Sequence, residues 1–279
     1  MRLVDSHCHL QADRFEADSE AVAEAARAAG VERLLVPGWD LTSSRDALDL
    51  VDRVPWLDAA VGIHPHEAGK AGAGDWPEIA RLGRDPRVVA IGETGLDYDR
   101  VFSPISDQLA NLRRHLALAL ETGKPAILHV RSPAGRRDAQ DVLVAELERA
   151  GFGGSGATAV FGKGPPAVIH SFSGSVDYAR AVLGLGLAIS ISGLAFRAGE
   201  EATADVVPIV PTDRLLIETD APFLSPPGAP RARNAPEWVR LTGAWVSERR
   251  RPSSGDRDGA FVAAYDATFS RLTASASRT

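Results

Sequence analysis

Short apolar segments and helix-forming segments alternate along the whole 279-residue chain. Apolar runs of this length are typical of buried strands. Eight such runs occur, namely LVDSHCHL, ERLLVPGW, LDAAVGIHP, RVVAIGETGLD, PAILHVR, AVIHSFSG, GLAISISGLAF and RLLIETDAP. A helical segment follows each of them; the first, SEAVAEAARAAG, is rich in alanine and ends at Gly30. Repeated β–α units favour a parallel sheet, and eight of them in about 250 residues are what a closed barrel requires.

The competing fold is an open, doubly wound sheet, whose mark is a glycine-rich turn after the first strand. Here that turn has the sequence HCHLQAD instead. We therefore predict an α/β protein with one domain, a (β/α)₈ TIM barrel over residues 1–270. The stretch 151–166 is rich in glycine and has no periodicity, so we predict a surface loop inserted there. Residues 271–279 are predicted to be a frayed tail.

Charge and cysteine content restrict the class of protein. The net charge of -6 argues against binding of nucleic acid through bulk positive charge, but bound divalent cations would add positive charge that this count omits. The single cysteine, Cys8, allows no internal disulfide. No signal peptide and no apolar run of about 20 residues is visible, so we predict a cytoplasmic protein without membrane association. We expect a monomer or a weak oligomer.

Metal-binding side chains lie at the ends of several predicted strands. His7 and His9 are two residues apart, so on a strand their imidazoles face the same side. The carboxyl ends of all strands of a barrel meet at one face, where active sites lie. The residues that the strand assignment brings to this face are His7, His9, Glu93, His129, His170 and Asp220. Because independent structural residues have no reason to gather there, the pattern predicts a metal-dependent enzyme.

Six ligands exceed what one tetrahedral catalytic zinc needs. Two cations about 3.5–4 Å apart, bridged by a carboxylate, would use all of them. Glu93 is the expected bridge, since its strand lies between the two groups of ligands in barrel order. Imidazole and carboxylate suit zinc, manganese, iron or magnesium, and the ligands alone do not decide among magnesium, manganese and zinc.

The chain resembles the TatD family of metal-dependent hydrolases, within the amidohydrolase-like barrels. The motifs DSHCH, GIHPH, IGETGLDY, ILHVR, IHSFSGS and IETDAP appear in the family's order, followed by RNAP at residues 233–236. The resemblance implies one metal site of His7, His9 and Asp220 and a second of His129 and His170, with Glu93 shared. It also implies hydrolysis of phosphodiester bonds in DNA, as a magnesium- or manganese-assisted exonuclease. Many amidohydrolase-like barrels bridge their metals with a carboxylated lysine. The three lysines of this chain lie away from the strand ends, so none can serve as that bridge, which agrees with a bridging glutamate.

Two further residues are candidates for the substrate. His64 lies at the mouth of the third strand, where it could bind a phosphate or protonate a leaving oxygen. Arg131 faces the same side as His129 and could hold a phosphate by two hydrogen bonds, or instead pair with a nearby carboxylate. The predicted catalytic residues are thus Glu93, Asp220 and His64, and the predicted substrate-binding residues are His64 and Arg131.

The remaining polar residues near these motifs receive supporting roles. Asp5 and Glu218 are expected to orient a histidine or a water, and Asp97 to contact His129, water or substrate. His66 is expected to lie in a loop with no metal role, and His115 to be a solvated or capping residue in a helix among arginines. Cys8 is expected to be a small core residue facing the helices.

The residues thus predict a hydrolase with two divalent cations per subunit. The resemblance implies that it is a DNase or phosphodiesterase of the 3′-5′ exonuclease type that acts on the single-stranded ends of DNA. A metal-dependent ester or amide hydrolase, such as a deacylase, is the alternative, because the same ligands could serve carbonyl chemistry. A non-catalytic barrel is disfavoured by the complete ligand set. The glycine-rich stretch 151–166 and the C-terminal segment depart from the family's usual pattern, and neither contains a proposed ligand.

Overall fold

A computed structural model describes residues 1–250 and 259–269 of the chain. Its eight strands form one parallel sheet in the order of the sequence. They are β1 (Leu3–Asp5), β2 (Val31–Pro37), β3 (Leu57–Val61), β4 (Val88–Asp97), β5 (Ala126–Arg131), β6 (Ala167–Ile169), β7 (Ala188–Ile191) and β8 (Leu215–Ile217). The predicted (β/α)₈ TIM barrel is confirmed.

The helices surround this sheet. They are α1 (Ser19–Ala28), α2 (Leu41–Arg53), α3 (Asp75–Gly83), α4 (Ile105–Thr122), α5 (Asp138–Arg149), α6 (Ser155–Phe161), α7 (Val176–Gly184), α8 (Thr203–Val206), α9 (Val239–Arg249) and α10 (Ala260–Phe269). All strand residues are buried except four, which are half-buried: Glu32 and Arg33 in β2 and His129 and Arg131 in β5. The strands and the inner helix faces share one apolar core. A parallel sheet covered on its outside by helices has this continuous apolar composition because both of its faces are buried.

The barrel closes between its first and last strands. The Ser6 amide donates to the Ile217 carbonyl at 3.0 Å, and the Asp220 amide donates to the His7 carbonyl at 2.9 Å. Asp5 reinforces this seam from inside, because its carboxylate accepts from the amide and the hydroxyl of Thr219 at 2.9 and 2.5 Å. Full burial raises the pKa of Asp5 to about 8 although those hydrogen bonds oppose the shift.

The start of α2 differs from the prediction made for it. The segment SSRDALDLVDRV predicts a helix with Ser43 or Ser44 as its cap. In the structure Asp40 is the N-cap: its carboxylate accepts from the Ser43 amide at 2.7 Å. The Ser43 hydroxyl in turn accepts from the Asp40 amide at 3.0 Å. Asp40 and Ser43 therefore form a reciprocal capping box, and the cap lies three residues before Ser43.

The glycine-rich stretch 151–166 is only partly the loop that was predicted. Its centre forms the seven-residue helix α6, while glycines precede and follow this helix. The sequence SGATAVF is too short to show a helical period, and for that reason the helix was missed. The predicted tail at 271–279 lies outside the described residues. No described helix is long and apolar enough to span a bilayer.

Candidate metal centre

Glu93 lies at the middle of the candidate site because β4 is irregular at this point. The pairing of β4 with β5 shifts register between Ile91 and Thr94, and the two residues between them are Gly92 and Glu93. An irregularity of this kind re-aims a side chain that regular alternation would place elsewhere. Gly95, two residues on, has φ +144°, and a Cβ there would lie 1.9 Å from the His129 carbonyl oxygen. A residue with a side chain would therefore force β4 and β5 apart beside Glu93.

The two carboxylate oxygens of Glu93 face two different sets of imidazoles. Oε2 lies 3.2 Å from His7 Nε2 and 3.7 Å from His9 Nε2. Oε1 lies 2.9 Å from His170 Nε2 and 3.2 Å from His129 Nδ1. The glutamate thus lies between two pairs of histidines. One pair follows β1, and the other consists of His129 in β5 and His170 directly after β6.

Asp220 completes the first of these sets. Its Oδ1 lies 3.5 Å from His9 Nε2 and 3.8 Å from His7 Nε2. The residue adopts φ +54°, a left-handed conformation that aspartate tolerates better than most residues, just after β8 ends. The first and last strands therefore supply one set of donors together.

The spacing of these donor atoms fits bound cations. Four ligands at about 2.0–2.1 Å from a tetrahedral ion lie about 3.3 Å from one another. The distances between His7, His9, Glu93 and Asp220 range from 3.2 to 3.8 Å. Those between Glu93, His129 and His170 range from 2.9 to 3.5 Å.

The far nitrogens of three histidines are held by protein acceptors. His9 Nδ1 lies 3.2 Å from the Pro37 carbonyl oxygen, and His129 Nε2 lies 3.2 Å from Asp97 Oδ2. His170 Nδ1 lies 3.2 Å from Glu218 Oε1. Such partners fix the tautomer of a histidine so that its other nitrogen has a free lone pair, as metal-binding histidines require. His7 differs, since its Nδ1 has no hydrogen-bond partner among the described residues.

The electrostatic environment also favours positive charge in the site. Burial by itself would raise the pKa of Glu93, but the imidazoles of His170, His64 and His7 hold it well below its ordinary value. Burial would likewise lower the pKa of His170, yet Glu93 and Glu218 raise it well above the ordinary value. Glu218 is fully buried, and His170 nevertheless lowers its pKa to about 2. Glu93 and Glu218 are thus ionised, and their negative charge favours a cation in the site.

The structure brings together all six residues that the sequence assigned to the metals, and it places His64 beside them. His64 Nε2 is 3.2 Å from Glu93 Oε1, and its Nδ1 accepts from the His66 amide at 3.1 Å. The side chains of Asp220, His64 and His129 are 14, 12 and 12% exposed, more than the other members. Solvent therefore reaches the site past these three residues.

Arg131 lies at the edge of this group. Its guanidinium is 32% exposed, and one nitrogen is 4.0 Å from Asp97 Oδ2. That distance is the long limit of an ion pair, so the guanidinium remains able to turn toward an incoming anion. Its predicted contact with phosphate stays a prediction.

His66 is more closely tied to the site than the sequence indicated. Its Nε2 lies 2.8 Å from Asp97 Oδ2, the oxygen that also contacts His129. Burial would raise the pKa of Asp97, but hydrogen bonds from His129 and His66 hold it far below its ordinary value. Sequence reasoning missed this contact, because it depends on how the loop after β3 returns His66 to the same rim as His64.

The prediction for His115 was wrong. This side chain is fully buried in α4. Its Nδ1 donates to the Asn111 carbonyl at 2.7 Å, and its Nε2 accepts from the Ile63 amide at 3.0 Å. It therefore anchors the residue that precedes His64. Cys8 is buried as predicted.

Comparison with known proteins identifies the family. A family profile described as TatD related DNase matches residues 4–269. The chain belongs to this family. A TatD relative from Bacillus subtilis (strain 168), named as the uncharacterized metal-dependent hydrolase YabD, is 35% identical over 246 residues, which are 88% of this chain and 90% of the relative.

Two further TatD relatives extend the comparison. A protein of Klebsiella pneumoniae (strain 342) named 3′-5′ ssDNA/RNA exonuclease TatD is 35% identical over 243 residues, covering 85% of this chain and 86% of the relative. The crystal structure of YjjV, a TatD homologue from Escherichia coli K12, superposes with a TM-score of 0.83 at 30% identity and covers 96% of this chain and 98% of that one. The resemblance inferred from the motifs is confirmed.

Proposed function

We propose that this TatD family member is a divalent-metal-dependent nuclease that removes nucleotides from the 3′ end of single-stranded DNA or RNA. The observation that carries the proposal is the division of Glu93 between two sets of imidazoles, one on each carboxylate oxygen. The relative from Klebsiella pneumoniae, named as an exonuclease of this polarity, supports the choice of substrate.

The donor set fits two cations, which we assign by residue. His7, His9 and Asp220 would hold the first, His129 and His170 the second, and Glu93 would be shared by both. Magnesium, manganese and zinc all accept such ligands. When bound, the cations would supply Lewis acidity toward a phosphoryl oxygen and a lower pKa for a neighbouring water.

Hydrolysis requires a bond from a water oxygen to phosphorus and the loss of the bond to the departing oxygen. Asp220 is the most exposed of the carboxylates that face the site, so its side chain can accept the proton that the attacking water loses. The departing oxygen takes a proton from solvent, which reaches the site past the same residue.

His64 is placed to hold a phosphate oxygen. Its Nδ1 accepts a hydrogen bond from the His66 amide, so the proton of the neutral ring lies on Nε2. This Nε2–H now points at Glu93, 3.2 Å away. A phosphate oxygen beside the glutamate would come within reach of the same donor, and Arg131 would approach it from the adjoining strand. His64 would therefore steady the phosphate through this N–H, and its predicted role as a proton donor to the leaving oxygen stays a prediction.

A labelled oligonucleotide assay tests this proposal. Single-stranded DNA and RNA carrying a 5′ label should be shortened in one-nucleotide steps by the wild-type protein with magnesium or manganese. Glu93→Gln keeps the shape of the side chain but removes its charge, and should lower both the activity and the bound metal. Glu148→Gln, on the exposed face of α5, is the matched control and should change neither.

Two results would contradict the proposal. Undiminished trimming by Glu93→Gln would remove the bridging carboxylate from the mechanism. Turnover of acylated substrates without turnover of oligonucleotides would favour the deacylase alternative, which no relative described above supports.

A further inference from the structure

Exposed aromatic side chains occur at only two places in the described part of the chain, and both border the metal centre. The sequence contains nine phenylalanines, five tryptophans and three tyrosines. Phe102 is 58% exposed and Phe223 is 53% exposed, whereas the others described are buried or half-buried. An exposed phenylalanine gives up the stabilisation that burial provides, so its position calls for an explanation outside the core.

Each of these rings contacts a histidine of the site. The Phe102 ring lies 4.7 Å from the His66 ring, with an interplanar angle of 75°. The Phe223 ring lies 6.3 Å from the His9 ring, with an interplanar angle of 69°. Both contacts are edge-to-face, an arrangement that leaves a ring face free for another aromatic group.

The two rings lie beside different halves of the centre. Phe223 contacts His9, which faces one oxygen of Glu93. Phe102 contacts His66, whose ring lies 4.3 Å from that of His64, and His64 faces the other oxygen. A phosphate held at Glu93 would therefore have one exposed aromatic ring on the side of each set of donors.

The backbone under Phe223 is firmly held. Its amide donates to the Asp220 carbonyl at 2.8 Å, and its carbonyl accepts from the Asn234 side chain at 2.7 Å. Asn234 is fully buried and also donates to the Thr219 carbonyl at 3.0 Å. The ring is thus presented to solvent from a fixed turn.

The backbone after Phe102 is held in a similar way. The buried Ser103 donates through its hydroxyl to the His66 carbonyl at 2.8 Å and accepts there from the Gly69 amide at 3.0 Å. The Ser103 carbonyl accepts from the buried Gln108 side chain at 2.9 Å. Phe102 is therefore fixed relative to His66, and a partner that stacks on it would not have to order the loop first.

We propose that Phe102 and Phe223 are stacking platforms for the two nucleobases that flank the phosphate under attack. This inference rests on the proposed function. Every base has a π-face, so stacking tolerates both DNA and RNA and any sequence. Bases within a duplex are already stacked and paired, and the two platforms therefore select single strands.

A base-deletion experiment tests the platforms directly. Phe102→Ala and Phe223→Ala are compared with wild type on three oligonucleotides: one intact, one with an abasic terminal nucleotide, and one with an abasic penultimate nucleotide. Each substitution should raise KM for the intact strand by about 5- to 100-fold. Each should have a much smaller effect on the strand that lacks the base its own ring would bind. Ile105→Ala, which removes a 40% exposed apolar side chain near Phe102, should leave KM unchanged.

Conservative variants and a binding assay separate stacking from structural effects. Phe→Trp should restore KM at either position, and Phe→Leu, which keeps apolar bulk without a ring, should not. In a Glu93→Gln background, 2-aminopurine at the end of an oligonucleotide should be quenched on binding, and Phe→Ala at the ring that holds it should abolish the quenching.

The outcomes distinguish this inference from the proposed function. If wild type does not shorten oligonucleotides, the proposed function fails and the platforms lose their substrate. If wild type trims normally while the phenylalanine variants have unchanged KM, or lose the same factor on intact and abasic strands, the platforms are refuted and the proposed function stands.

Discussion

His115 should make the folded protein unusually sensitive to mild acid. The neutral ring donates from Nδ1 and accepts at Nε2, so protonation of Nε2 would break its bond with the Ile63 amide. Burial lowers the pKa of His115 to about 3, although the hydrogen bond to the Asn111 carbonyl opposes this shift. In the unfolded chain the same group has its ordinary pKa of about 6.5.

The sign and size of the effect follow from these two values. As the pH falls through about 6.5 the unfolded chain binds a proton here and the folded chain does not, so the free energy of unfolding decreases until the pH reaches about 3. The full loss is about 3.5 pKa units, or about 5 kcal/mol. When the pH falls from about 7.5 to about 5, this one group should lower the free energy of unfolding by about 2 kcal/mol.

Urea unfolding measures the contribution of His115 to this pH dependence. Wild type and His115→Gln are compared at these two pH values, with a chelator present throughout. Glutamine can still accept from the Ile63 amide but does not titrate. The variant starts less stable because its packing is altered, and it should lose about 2 kcal/mol less than wild type on acidification. Equal losses in the two proteins would refute the assignment of a buried neutral imidazole.

Three further perturbations test other contacts. Gly95→Ala should unfold the barrel or abolish activity, because the new methyl group meets a backbone oxygen, whereas Gly156→Ala, with nothing within 4 Å, should leave the melting temperature unchanged or raise it. Glu218→Gln should weaken divalent-cation binding by about 10- to 100-fold in calorimetric titrations, because the charge behind His170 is lost; an unchanged affinity would contradict the orienting role. Asn234→Ala leaves two backbone carbonyls without their donor and should lower the free energy of unfolding by about 1–3 kcal/mol in urea, and a loss below about 0.5 kcal/mol would count against this role.

The parts of the molecule that the sequence predicted well depend on simple periodicities. Strand alternation places His7 and His9 on one side, and barrel convergence brings the ends of distant strands together. These two rules were enough to predict that Asp220 and the histidines lie in one cluster, whereas the direction of the Glu93 side chain also depends on the irregularity in β4.

The errors have a different origin. His115 was assigned to solvent because arginines precede it, but Asn111 and Ala119, four residues before and after it, share the buried face of α4. Helical spacing would have placed it correctly if it had been weighed above the neighbouring charges. The link between His66 and Asp97 depends on how a loop folds back over the rim, and no local pattern encodes that path.

The donors that surround Glu93 lie far apart along the chain. His7 and His9 precede β2, while Asp220 follows the last strand. During synthesis, a ribosome-bound chain therefore lacks this aspartate until all eight strands have been made. For a protein proposed to cut nucleic acid, this order would postpone the chemistry until the ring of strands can close.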